Sequence, residues 1–140
     1  MYKLIILIIL MGIIYFMMPN EEKYVKSKNG LKYLVRKAEN TNTEQDSANT
    51  LDEINKRILM IIDSLNKTYE NNSEMYWIKH LNNNYKRDGS SLSEAAVEKL
   101  YTTYTIDKRN VNVCLRTRDK YNKMYDINTL MFVIIHELAH

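Results

Sequence analysis

Cysteine occurs once in this chain of 140 residues, at Cys114, so no internal disulfide can brace the fold, and a reducing compartment is compatible with that usage. Glycine is almost as scarce. Only three are present and they are scattered, so there is no glycine-rich phosphate loop; nor is there a Cys-x-x-Cys pair or an internal repeat. An excess of one charge is lacking too. Twenty Lys+Arg against 17 Asp+Glu leave a net charge of +3, too small to argue for nucleic-acid binding. Stability must therefore come from one hydrophobic core. A chain of this length, 45% hydrophobic and 26% charged, is sufficient for one such domain.

What is present begins with an apolar run. Residues 4–18, LIILIILMGIIYFMM, contain neither a charge nor a strongly polar side chain. The run is short against the ~20 residues of a full membrane span, although Met1, Tyr2 and Pro19 extend it. The following FMMPNEE offers no small-residue cleavage site, which favours an uncleaved anchor over a cleaved signal. A core helix is disfavoured, because the run is apolar on every face and lies at the terminus. Lys3 precedes it, whereas Lys23, Lys26, Lys28, Lys32, Arg36 and Lys37 follow it. The positive-inside rule then puts the rest of the chain on the cytoplasmic side. The expected organisation is a transmembrane anchor over 1–20, held in the lipid bilayer by residues 4–18, and one domain over 21–140.

In that domain, KYVKSKNGLKYLVRK predicts a β-hairpin turning at Asn29-Gly30, against the alternative of a basic linker. AENTNTEQDSANT, residues 38–50, is polar and unpatterned and reads as a loop. Leu51, Ile54, Ile58, Ile61, Ile62 and Leu65 then recur at helical spacing. A second helix is predicted over 73–85 and a third over 91–101, the latter capped by Ser91 or Ser93. His80 lies on the second; a metal-ligand role is open to it, but a lone helical histidine is more often a surface or packed residue. YTTYTID and NVNVCLRT alternate as strands joined by DKRN, a second hairpin, with Cys114 read as a half-buried inert thiol.

The chemistry concentrates at LMFVIIHELAH, residues 130–140. No charge occurs from 127 to 135, and Asp126 or Asn128 can cap a helix there that is apolar on all sides and expected to be buried. His136 and His140 stand one helical turn apart, so their imidazoles can share one Zn2+. Glu137 lies beside them and can act as the general base toward a water. Uncharged Leu138 and Ala139 fill the spacer, as the H-E-x-x-H motif usually has them.

Three segments in this order, SKNGLKYLVR, YTTYTIDKRNVNVCLRTRD and DINTLMFVIIHELAH, resemble the WLM-type metallopeptidases found among large DNA viruses and related sequences. The resemblance covers most of residues 27–140 and is most specific in the last segment. It implies a zincin-like α+β fold, zinc peptidase activity on a polypeptide substrate, His136 and His140 as the first two metal ligands, and Glu137 as the catalytic base. Family members continue with a further histidine as third ligand, and none follows His140 here, so residues 21–140 read as the N-terminal part of such a domain. The leading expectation is a membrane-anchored zinc-dependent peptidase. The alternative is a non-catalytic single-pass membrane protein with a binding or structural role.

Overall fold

A computed structural model describes residues 2–17, 21–69, 75–96 and 102–140. The first element is helix α1, Tyr2–Met17, whose described side chains are all exposed. At ~1.5 Å per residue its 16 residues reach only ~24 Å, against a hydrocarbon core of ~30 Å. Among the described residues no helix is long and apolar enough to cross a membrane. This overturns the bilayer span expected over residues 4–18. The single-pass localisation and the cytoplasmic orientation deduced from flanking charge fall with it.

The α+β class holds, built on a mixed five-stranded sheet. Strands β1 (Glu22–Lys26) and β2 (Lys32–Arg36) form the first hairpin, in which Gly30 alone takes a positive φ, of 93°. Strands β4 (Tyr104–Ile106) and β5 (Asn110–Val113) form the second. Its turn carries Asp107 and Lys108 at φ 53° and 54°, the paired left-handed residues of a type I′ turn. Between the hairpins lies β3, Leu92–Glu94, parallel to both β2 and β5, which gives the order β1-β2-β3-β5-β4.

Strand β3 replaces the start of the helix expected over 91–101; residues 97–101 lie outside the described set. The reason is tertiary. Leu92 joins the core, and Glu94 is drawn inward by Arg116. Arg116 donates from Nε to Glu94 Oε1 at 2.7 Å and from Nη2 to Oε2 at 3.0 Å, both side chains being fully buried. The same carboxylate accepts the Arg36 backbone N–H at 2.9 Å, tying β2 to β3.

Helix α2 spans Thr41–Tyr69 and so absorbs most of the loop expected over 38–50. Its buried face runs Glu44, Ser47, Ala48, Leu51, Asp52, Ile54, Asn55, Ile58, Ile62, one helical stripe that starts in the first turn. Two of those early positions are polar, which hid the period. Glu44 is neutralised there by Lys23 of β1 and by the Ala38 N–H at 3.0 Å. Helices α3 (Tyr76–Asn84) and α4 (Ile127–Ala139) complete the fold. The inward sheet residues Tyr33, Val35, Leu92, Val111 and Val113 meet α2 and α4 in one core. The opposite sheet face bears Tyr24, Leu34, Ser93, Asn112 and Tyr104 in register across all five strands.

Candidate metal centre on helix α4

Helix α4 starts where Asp126 accepts hydrogen bonds from the Asn128 and Thr129 N–H groups at 2.9 and 3.2 Å. Of the two capping residues suggested by the sequence, Asp126 does the capping. Leu130, Met131, Ile134 and Leu138 then face the core, each contributing roughly 1.5–3 kcal/mol through burial. The helix is not buried all round, contrary to expectation: Phe132 is 75% and Ile135 44% exposed. A single helix against one sheet face buries one stripe only, whatever the composition of the other side.

That geometry decides where the motif lies. His136 and His140 fall on the exposed side, and Glu137 is half-buried beside them. The two imidazoles meet edge to face with ring centroids 4.6 Å apart. Two neutral imidazole nitrogens one turn apart suit zinc by donor chemistry, so His136 and His140 fit as two of its ligands. Among the described residues no group of three or more His, Cys, Asp or Glu side chains is arranged to hold a metal ion. The three side chains thus present two imidazoles in ring contact with a half-buried carboxylate beside them.

The last turn of α4 is held by a residue the sequence did not single out. Lys108, at the tip of the β4–β5 turn and only 7% exposed, donates from Nζ to the Leu138 carbonyl at 2.6 Å. The ammonium faces the partial negative charge of that carbonyl and ties the β4–β5 turn to α4. Positive φ at a lysine was the signal, and φ is not legible in DKRN.

His80 does not join the pair on α4 in a metal-holding set, yet it is near. Its Nε2 lies 2.9 Å from Asp107 Oδ1, and it lines the same open cleft as His140. Cys114 is buried outright, with its Sγ 3.5 Å from the Arg116 carbonyl, more deeply than the half-burial expected.

No family model matches the chain, and no solved structure matches it significantly. Two viral relatives do. The uncharacterized protein R325 of Acanthamoeba polyphaga mimivirus is 35% identical over 141 aligned positions, spanning 96% of this chain and 68% of that protein. The uncharacterized protein 042R of Invertebrate iridescent virus 3 is 54% identical over 39 residues, 27% of this chain and 23% of that protein.

Proposed function

The chain belongs to the family of viral proteins that includes R325 of Acanthamoeba polyphaga mimivirus, and for this chain we propose a zinc-dependent peptidase in which α4 supplies two metal ligands and the general base. The observation that carries the reading is the paired placement of His136 and His140, in ring contact on the exposed side of a helix whose other side is core. Histidines kept for packing would sit among the buried residues, and these do not. The resemblance to WLM-type metallopeptidases supports the same assignment.

In this reading His136 and His140 hold the metal through one ring nitrogen each. When bound, zinc supplies Lewis acidity that lowers the pKa of water and polarises a carbonyl. The Glu137 carboxylate takes the proton from the attacking water and returns it to the nitrogen of the departing amine. The inner stripe of α4 and the Lys108 contact keep the three side chains in register while this happens. Positions not filled by the two imidazoles are completed by water or by groups outside this pair.

The test is metal binding and hydrolysis in parallel. Zinc affinity should fall at least tenfold in His136→Ala and in His140→Ala. Hydrolysis of an unfolded polypeptide should vanish in Glu137→Gln while zinc remains bound. Undiminished zinc binding in both histidine variants would refute the site, and undiminished hydrolysis in Glu137→Gln would refute the role of the base.

A further inference from the structure

Helix α3 and the β4–β5 turn enclose, with the end of α4, an open cleft of about 400 Å³. His140 forms one wall; His80, Trp77 and Tyr76 of α3 form another; Thr105 and Asp107 close it. A separate depression of about 220 Å³ lies across Trp77, between α2, α3 and α4, and is lined only by apolar residues. The two share Trp77, but only the first offers polar partners, so only the first can receive a main chain with its N–H and C=O groups satisfied.

His80 is held far more firmly than a side chain 32% exposed needs to be. Asp107 Oδ1 lies 2.9 Å from its Nε2. Arg109 stands 3.8 Å from the other Asp107 oxygen and 3.5 Å from Asn84 Oδ1. The Asn84 amide touches the ring at 3.1 and 3.4 Å, and the Tyr76 ring stacks on it at 5.9 Å and 19°. Contacts from its own helix and from the β4–β5 turn thus fix one imidazole, and Asp107 reaches it from a left-handed backbone position. Ordering an exposed side chain costs conformational entropy, and the pattern is that of a preorganised binding group. In the tautomer that gives Nε2–H to Asp107, Nδ1 is the ring's acceptor, and the Asn84 amide, 3.1 Å from Nε2 and 3.4 Å from Nδ1, can donate only to Nδ1. At that length it is a contact that another N–H can displace.

We propose that this cleft receives the main chain of the polypeptide substrate, that His80 contacts it by accepting a peptide N–H at Nδ1, and that Asp107 is the positioning residue for His80. The proposal rests on the reading of α4 as a peptidase half-site, and it gives His80 a role distinct from metal ligation. It is tested on the whole chain, first without metal, using oxidised insulin B chain as an unfolded probe and the histidine and tryptophan side-chain NMR signals as the readout. The probe should shift the His80 ring and Trp77 indole signals. His80→Ala and Asp107→Asn should each weaken binding about 3- to 10-fold, the worth of one hydrogen bond. His80→Gln, which keeps an acceptor, should recover part of the loss, whereas zinc affinity should stay unchanged in all three variants. Unshifted His80 and Trp77 signals, or wild-type probe binding in both His80→Ala and Asp107→Asn, would overturn the proposal. So would a tenfold loss of zinc affinity in His80→Ala, which would make His80 a ligand. Failure of the α4 reading shows separately, as zinc binding indifferent to His136→Ala and His140→Ala.

Discussion

Replacing Lys108 by Met should loosen the last turn of α4 without unfolding the domain. The methionine keeps the stem and loses only the ammonium, which donates to the Leu138 carbonyl at 2.6 Å. A hydrogen bond from a charged group is worth about 1.5–3 kcal/mol. Against this, the variant no longer has to bury a charge, since Lys108 is 7% exposed. We set the net local loss at roughly 1–2 kcal/mol, a 5- to 30-fold rise in the opening equilibrium. Amide hydrogen exchange reads it directly: residues 138–140 should exchange faster by that factor, while Ile54 and Ile58 in the core of α2 stay protected. Zinc affinity should fall in step, because both rings ride on that turn. Lys108→Gly separates tether from turn. It removes the contact and the buried stem together but accepts the left-handed backbone without strain, so it should lose the same local protection. Exchange at 138–140 that changes less than twofold in both variants would refute the idea that this lysine holds the helix end.

Three other outcomes are expected. Glu94→Ala should cost about 3–5 kcal/mol in urea unfolding, because Arg116 would be left buried and uncompensated; Glu94→Leu with Arg116→Met should cost less than the sum of the single changes. Gly89→Ala should destabilise by roughly 1–3 kcal/mol, since Gly89 has a φ of 83° and an added Cβ would meet the Tyr33 hydroxyl 2.6 Å away. Glu44 is pushed up by burial, but Lys23 and the Ala38 N–H outweigh this and hold its carboxyl below the ordinary value of 4.5. A carboxyl depressed on folding stabilises above its unfolded pKa and loses that contribution as pH falls through the folded one. Thermal melts should therefore show a steeper loss below pH ~4.5 in the wild type than in Glu44→Gln.

Residues 130–140 carried the candidate site in the sequence alone, because a helix repeats every 3.6 residues and four positions separate His136 from His140. The hairpins were legible for a similar reason: alternation and Asn29-Gly30 are local signals. Local pattern could not show that Glu94 belongs to a strand, for Ser and Glu before an alanine pair also suit the start of a helix. The partner that draws it inward, Arg116, is 22 residues away. Nor could it show that α2 begins near Thr41, since the inward Glu44 is made acceptable by Lys23 on a neighbouring strand and by the Ala38 N–H. The apolar run at the N-terminus was legible as a helix, but whether that helix is long enough to span a membrane depended on its bounds, and Tyr2–Met17 is too short. The sequence by itself determined which residues can ligate, abstract a proton and pack, because those are properties of side chains and their spacing along the chain. The tertiary structure alone decided that the histidines face outward, that Lys108 ties their helix to the β4–β5 turn, and that His80 and Asp107 share a cleft with His140, because each depends on contacts between elements distant in the chain.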